Sequence, residues 1–168
     1  MKNPLILAAM ILSLLGLRAA AEPLAIGAAA PALVATSDAG TPLDLGKLCQ
    51  QGIVLVYFYP KADTPGCTAQ GCSLRDAYSD LTAKGVQVVG VSTDDVAAQK
   101  AFRAKFQFPF PLIADTDKKV TAAFGVPTTM GFASRQAFLF KDGKLIWRDL
   151  KAGTKQQAAD VLAVLKTL

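Results

Sequence analysis

The 168-residue sequence contains no histidine, and this absence excludes more chemistry than any other feature of its composition. Triad hydrolases lose their usual base, and most zinc enzymes lose a usual ligand. Despite a net charge of +5, lysine and arginine do not cluster with aromatic residues, so no nucleic-acid partner is expected. Neither a G-x-G-x-x-G loop nor a metal-spaced ligand cluster occurs. We therefore expect no bound metal and no cofactor.

Cysteine is scarce as well, and its three copies are Cys49, Cys67 and Cys72. An odd number leaves at least one thiol free, reactive or paired with another molecule. A purely structural disulfide framework is therefore disfavoured. Cys49, in LGKLCQQG just before an apolar run, has no polar turn and no cysteine companion beside it, and we interpret it as a spare thiol or a packing residue.

Long apolar runs are rare, and the longest lies near the start of the chain, over residues 4–17. A lysine precedes this run and two alanines spaced A-x-A follow it, which is the pattern of a secretion signal. Its length of about fourteen residues is short of the roughly 20 that span a bilayer, although a retained membrane anchor is the alternative. We predict a cleaved signal peptide over residues 1–21, export to the periplasm without stable membrane association, and one domain over residues 22–168.

Hydrophobic periodicity predicts alternating strands and helices, followed by a hairpin and a last helix. The central strand is GIVLVYFYP, residues 52–60, because a continuous β-branched and aromatic run is typical of a strand buried on both faces. The other predicted elements are an edge hairpin within an irregular segment 23–47, a helix over 67–84, a strand over 86–92, a helix capped by Asp94 and Asp95 that runs to 106, a strand over 111–115, a short helix closed by Gly125, a hairpin turning at Asp142-Gly143, and a helix that opens at Thr154. This order predicts a thioredoxin-like α/β fold with a central mixed sheet flanked by helices.

The segment YPKADTPGCTAQGC, residues 59–72, places a cysteine just past the central strand and at the opening of a helix. Sites in α/β sheets gather at the carboxyl ends of strands, and the free N–H groups and dipole of a helix N-terminus favour a thiolate. We therefore predict Cys67 as a nucleophile. The alternative is a small buried core residue. The polar turn formed by Thr64, Pro65 and Gly66 argues against burial.

Cys72 follows five residues after Cys67, and this spacing has a geometric consequence. On a regular helix the two Cα atoms would lie roughly 8 to 9 Å apart, whereas a disulfide needs less than about 7 Å. If the two cysteines join, the first turns of the helix must unwind. We predict that the pair cycles between a folded dithiol and a locally unfolded disulfide, the alternative being that Cys72 is a core-facing helix residue.

With these residues in place, the sequence resembles a peroxiredoxin of the Q-type group, also called bacterioferritin comigratory proteins. Pro60, Thr64 and Cys67 meet the family signature P-x-x-x-T-x-x-C, and Cys72 meets the Q-type extension, a second cysteine five residues later. The likeness extends over roughly residues 23–168. It implies the peroxiredoxin form of the thioredoxin-like fold and a thiol peroxidase that works without metal, haem, flavin or nicotinamide.

The resemblance also implies roles for individual residues. Cys67 would attack the peroxide and become a sulfenic acid, and Cys72 would resolve it to an intramolecular disulfide. Thr64 would hydrogen-bond the peroxide and Pro60 would shield the sulfenic acid from water. The backbone N–H groups of Gly66 and Cys67 would add donors.

An arginine just before a late strand holds the thiolate and the peroxide in this family, and Arg135, directly before QAFLF, fits that place. A fixed guanidinium also favours a nearby thiolate and can donate to a negative charge developing on oxygen. The alternative is an exposed surface arginine, since Arg75 and Arg103 are also present. We expect Arg75 to pack on its helix or to pair with Asp76 or Asp80.

The resemblance implies a peroxide substrate, a monomer, and recycling by a thioredoxin-like or other external dithiol. Two features depart from the group. Gln70 stands where the family often carries glutamate, and export would separate the chain from cytoplasmic thioredoxin, so another dithiol donor would be needed.

Two other functions fit parts of the sequence. A thiol-disulfide oxidoreductase of the thioredoxin type would share the fold, but such proteins carry C-x-x-C whereas this chain carries C-x-x-x-x-C. In a non-enzymatic binding module, Cys67 and Cys72 would staple a surface loop. A peroxidase would consume peroxide rapidly in its reduced form, whereas neither of these two functions predicts that reaction.

Overall fold

The computed structural model describes residues 22–167, so the predicted signal peptide over residues 1–21 lies outside the described residues. Within them the strands are β1 (Val34–Thr36), β2 (Pro42–Asp44), β3 (Ile53–Phe58), β4 (Val86–Ser92), β5 (Leu112–Ala114), β6 (Thr128–Thr129), β7 (Phe132–Ala133), β8 (Gln136–Lys141) and β9 (Lys144–Asp149). The helices in the same part of the chain are α1 (Leu45–Cys49), α2 (Pro65–Asp76), α3 (Tyr78–Ala83), α4 (Val96–Phe106), α5 (Lys119–Ala123) and α6 (Gln157–Leu165).

The apolar run IVLVYF forms β3, and β3 lies at the centre of a five-stranded sheet in the order β5-β4-β3-β8-β9. β3 pairs parallel with β4 and antiparallel with β8, and β5 extends the parallel half while β9 extends the antiparallel half. The central position explains why this run has no polar alternation, since both of its faces are covered. The predicted mixed sheet, with the strand from the run 52–60 at its centre, is confirmed.

Alternate residues of β3 contribute to two separate apolar layers. Leu55, Tyr57 and Tyr59 belong to a cluster that includes Cys67 and side chains of α2, α3, α4 and α6. Val54, Val56 and Phe58 belong to a second cluster that includes Cys49 together with side chains of α1 and α5. Because successive side chains of a strand point to opposite faces, the two clusters lie on opposite sides of the sheet. Cys67 and Cys49 are therefore separated by the sheet.

The helix predicted over residues 67–84 is two helices, α2 and α3. It begins earlier than predicted, at Pro65, whose fixed φ suits the first position of a helix. It breaks at Ala77, whose φ of −96° and ψ of 11° leave the helical region. The last helix begins at Gln157 rather than at Thr154, because the residues before it form a turn that lies over the start of α2.

Two predicted hairpins are present and one was missed. Asp142 and Gly143 both have positive φ, 48° and 80°, as the tight turn between β8 and β9 requires. β1 and β2 form the predicted edge hairpin. β6 and β7 form an unpredicted one, which turns at Met130 and Gly131 without the usual asparagine or aspartate.

Candidate active site

Cys67 is the third residue of α2, which follows the carboxyl end of β3 through a short polar loop. Thr64 is the N-cap residue, with an extended backbone at φ −97° and ψ 153°. The N–H groups of Gly66 and Cys67 lie in the first turn, where a helix supplies no carbonyl acceptor. This placement agrees with the predicted helix N-terminus and leaves two backbone donors beside the sulfur.

The expectation that the polar turn keeps Cys67 exposed is wrong. Its side chain is only 1% exposed and belongs to the apolar cluster that contains Tyr57 and Leu74. The turn before Cys67 is polar, but α2 packs its inner face on the sheet, and the third residue of the helix already lies on that face. A reagent must therefore reach a sulfur that is enclosed on most sides.

Arg135 contacts Cys67, as predicted from its position just before β8. Its Nη2 donates to Sγ of Cys67 at 3.4 Å, and its Nη1 donates to Oε1 of Gln70. Gly66 permits this approach, because a Cβ atom there would lie 3.3 Å from Nη2 of Arg135. The guanidinium thus lies between the start of α2 and the loop before β8, with a fixed donor directed at the sulfur.

The other two arginines considered for this role lie elsewhere. Arg75 pairs with Asp76 at 2.7 Å, as expected, and also donates to the carbonyl of Phe106. Arg103 pairs with Asp38 at 3.0 Å. Neither contacts Cys67, and Arg148 donates to the carbonyl of Pro23 instead, so Arg135 is the arginine of this site among the described residues.

Gln70 continues the chain of contacts into the protein. Its Nε2 donates to Oε1 of Gln157, the first residue of α6, at 2.6 Å. Both glutamines are fully buried. Gln157 was not predicted, because 87 positions separate it from Gln70 and no periodic or motif signal connects the two. Its role becomes visible only when α6 is placed against α2.

Thr64 and Pro60 lie where the signature places them, on the loop between β3 and α2. The Thr64 hydroxyl donates to the carbonyl of Lys61 at 3.0 Å and not to Cys67, which leaves its lone pairs free to accept. Pro60 is half-buried and directly follows Tyr59. The roles assigned to both residues toward a peroxide stay predictions.

A partly buried polar network holds this loop, and Asp94 lies at its centre. Asp94 was expected to cap α4, but only Asp95 does so, accepting from the N–H of Ala98 at 2.8 Å. Asp94 instead accepts from the N–H of Ala62 at 2.7 Å and from the hydroxyl of Ser92 at 2.6 Å. The carboxylate therefore ties the loop before Cys67 to the end of β4.

The same network continues to β3. Gln99 donates to Ser92 at 2.8 Å and accepts a hydrogen bond from the hydroxyl of Tyr59. Burial raises the pKa of Tyr59 well above its ordinary value, so this phenol stays neutral and acts as a donor. Tyr57, stacked on Tyr59 at 5.6 Å, also has its pKa raised, first by burial and then by Tyr59, Cys67 and Cys72. Two neutral phenols therefore line the sheet side of the site.

Cys72 lies in the same helix as Cys67, and both thiols are free. Cys72 is half-buried and packs against the apolar cluster that contains Cys67. Its neighbour Gly71 lies tightly against Phe108, since a Cβ atom at Gly71 would be 2.5 Å from the ring. The helix is thus regular and closely packed between the two cysteines, which is the dithiol form of the predicted cycle.

Cys49 is a packing residue. It is fully buried on the opposite face of the sheet, and burial raises the pKa of its thiol to about 12. A thiol held neutral in this way is a poor nucleophile. This agrees with its interpretation as a residue without a redox role.

Two kinds of feature are absent from residues 22–167. No helix in that range has the length and hydropathy needed to cross a bilayer. No group of three or more potential metal-binding side chains comes together in the same range.

Comparison with known proteins gives consistent matches. The model of the AhpC/TSA family matches residues 26–148. A putative peroxiredoxin bcp of Coxiella burnetii is 43% identical over 101 residues, which cover 60% of this chain and 66% of that protein. The chloroplastic peroxiredoxin Q of Oryza sativa subsp. japonica is 40% identical over 104 residues, 62% of this chain and 48% of that protein. The matched segment therefore spans about half to two thirds of these curated relatives.

Solved structures are similar over more of their length. Peroxidoxin BcpB from Mycobacterium tuberculosis superposes with a TM-score of 0.79 at 31% identity, covering 85% of this chain and 97% of that one. Peroxiredoxin Q from Xanthomonas campestris gives a TM-score of 0.74 at 31% identity, covering 80% and 90%. A bacterioferritin comigratory protein of the same organism, described by its alkyl peroxide reduction activity, matches equally well, with the same scores and coverage. The predicted thioredoxin-like fold, in its peroxiredoxin form, is confirmed.

Proposed function

The chain belongs to the AhpC/TSA family, and on that premise we propose that it is a monomeric thiol peroxidase that reduces hydrogen peroxide and organic hydroperoxides at Cys67. The observation that carries the proposal is the contact between the guanidinium of Arg135 and the sulfur of Cys67, 3.4 Å apart at the start of α2. The alkyl peroxide reduction activity of the similar Xanthomonas campestris protein supports the substrate class.

The first step transfers one oxygen atom to Cys67. The thiolate sulfur attacks the terminal oxygen of the peroxide, the O–O bond breaks, and the leaving oxygen takes a proton and departs as water or alcohol. Negative charge moves from sulfur to the leaving oxygen during this step. Arg135 and the free N–H groups of the first helical turn are donors fixed in advance at the place where that charge moves. Cys67 becomes a sulfenic acid.

The second step makes a disulfide and the third removes it. The thiol of Cys72 attacks the sulfur of Cys67 and water leaves, giving an intramolecular disulfide. An external dithiol then reduces this bond by two thiol exchanges and is itself oxidised. The free state of both thiols and their position on one helix support this route.

Stopped-flow mixing of the reduced protein with hydrogen peroxide and with an alkyl hydroperoxide tests the function. Trp147 is half-buried and packs against the cluster that contains Cys67, so its fluorescence should report the change. We expect reaction with either peroxide to be orders of magnitude faster than that of free cysteine, because the donors are preorganised. A rate equal to that of free cysteine would exclude a peroxidase.

Oxidation should unwind α2, since a disulfide cannot join two positions five residues apart on a regular helix. We expect amide hydrogens of residues 68–76, the part of α2 with intrahelical hydrogen bonds, to exchange rapidly in the oxidised protein and slowly in the reduced protein. The start of α6 should also lose protection, because Gln70 and Ser73 bind Gln157 and Ala158 there.

A Cys72→Ser variant treated with the same peroxide is the matched control. It forms the sulfenic acid but no intramolecular disulfide, and its helix should stay protected. Equal protection of the oxidised and reduced wild-type protein would contradict the unwinding, even if the peroxide is consumed.

Export remains a proposal that the sequence alone supports. We propose that residues 1–21 direct the chain to the periplasm and are removed before Glu22, so that a dithiol donor of that compartment completes the cycle. The mass of the protein recovered from that compartment decides between removal and retention.

A further inference from the structure

Arg135, Gln70 and Gln157 form a chain of hydrogen bonds in which each side chain donates to the next. A guanidinium has donors and no acceptor, so Gln70 must present its oxygen to Arg135. The NH2 group of Gln70 is then directed at Gln157, which must present its own oxygen in turn, at 2.6 Å. The NH2 group of Gln157 consequently has no partner, although it is fully buried.

Packing alone does not account for Gln157. An apolar side chain of similar length would fill the space without burying an unpaired amide, which is unfavourable. Attachment of α6 does not depend on Gln157 either, because the N–H of Ala158, the next residue, donates to the hydroxyl of Ser73 on α2 at 3.3 Å. The adjacent residues Gln157 and Ala158 thus both hydrogen-bond to α2, and only the bond of Gln157 continues to Arg135.

We propose that Gln157 is a positioning residue for the reaction at Cys67, acting through Gln70 on Arg135. The inference rests on the proposed function. By accepting from the NH2 group of Gln70, Gln157 fixes the oxygen of Gln70 against Nη1 of Arg135, and this leaves Nη2 directed at the sulfur. Both links are neutral amides, so the guanidinium is oriented without a carboxylate that would cancel its charge.

Among residues 22–167, Arg135 is the charged side chain that hydrogen-bonds to Cys67. From β3 the site is faced by Tyr57 and Tyr59, which burial keeps neutral because it raises both pKa values. From α2 it is faced by the thiol of Cys72. The orientation of one guanidinium should therefore control how strongly the thiolate and the departing oxygen are stabilised.

The test compares Gln157→Met with Ser73→Ala, each made together with Cys72→Ser so that only Cys67 reacts. Q157M should slow the reaction with hydrogen peroxide by about three- to tenfold, the effect of losing one hydrogen bond, and should shift the NMR signals of the Arg135 guanidinium. S73A removes the neighbouring tie and should leave both quantities unchanged. Gln157→Glu retains an acceptor oxygen and should recover most of the lost rate.

A double variant tests the route. If Gln157 acts through Gln70, Q157M should add nothing to the loss caused by Gln70→Met. Additive losses, or identical behaviour of Q157M and S73A, would overturn the proposal.

An Arg135→Met variant provides a second measurement that needs no substitution at Gln157. In its NMR spectrum, the side-chain amide signals of Gln70 and Gln157 should both differ from those of the wild-type protein, because Gln70 has lost the guanidinium from which its oxygen accepts. Unchanged signals of Gln157 would also overturn the proposal. Neither this measurement nor the NMR signals of Arg135 require peroxide turnover, so failure of the relay and failure of the peroxidase function are distinguishable.

Discussion

Cys67→Ser is expected to abolish the fast reaction with peroxide, with a loss of at least about a thousandfold, as removal of a nucleophile causes in other enzymes of covalent mechanism. A serine hydroxyl stays protonated at neutral pH, because an alcohol is a far weaker acid than a thiol and the contact with one guanidinium does not make up that difference. Stopped-flow fluorescence of Trp147 and consumption of peroxide both measure this loss.

The other two cysteines serve as matched controls for that experiment. Cys49→Ala should keep the wild-type rate, because Cys49 lies on the opposite face of the sheet and is held as a neutral thiol. Cys72→Ser should keep the first, single reaction with peroxide and lose turnover with an external dithiol that needs the intramolecular disulfide. A residual fast reaction in Cys67→Ser would show that another thiol is the nucleophile.

Arg135→Met is expected to lower the rate constant for peroxide by about 10²–10³-fold, the usual effect of removing one preorganised donor from a site of developing charge. The physical reason is that the 3.4 Å contact to Cys67 stabilises the thiolate before reaction and the leaving oxygen during it. Stopped-flow mixing of the reduced variant with hydrogen peroxide measures this loss.

Arg75→Met is the matched control, since it removes an arginine from the same helix that carries Cys67 but breaks only an ion pair with Asp76 and a bond to the Phe106 carbonyl. It should leave the rate constant unchanged. Arg135→Lys should fall between the two, because a single ammonium replaces the charge but cannot contact Cys67 and Gln70 in the fixed geometry of a guanidinium. Equal rates for Arg135→Met and wild type would exclude Arg135 from the reaction.

The sequence predicted those parts of the site that local signals mark. Cys67 follows a strand and opens a helix, which strong local patterns mark, whereas Arg135 was implied by the family resemblance and by its place just before a strand. Gln157 could not be found in this way. Its contact with Gln70 depends on how α6 packs across α2, which is a property of the assembled layers.

The difference between local signals and tertiary packing also explains which predictions were wrong. Asp94 and Asp95 carry identical chemistry one residue apart, and either can cap a helix, so only the fold decides that Asp94 is directed at Ala62. The burial of Cys67 was missed because a polar turn describes the residues before the helix and says nothing of the layer beneath it. No glycine or proline marks the break at Ala77, so the sequence carries no local signal for it.

The location of Cys49 has a consequence for the fidelity of disulfide chemistry in this chain. Three thiols in one small domain invite scrambling whenever one of them is repeatedly oxidised. Every mispaired isomer would have to include Cys49, which the sheet separates from Cys67 and Cys72. Such an isomer can form only after the whole domain unfolds, whereas the pairing of Cys67 with Cys72 requires only the opening of one helix. If Cys67 and Cys72 cycle as proposed, repeated oxidation should therefore give only that intramolecular pairing, and Cys49 should stay reduced.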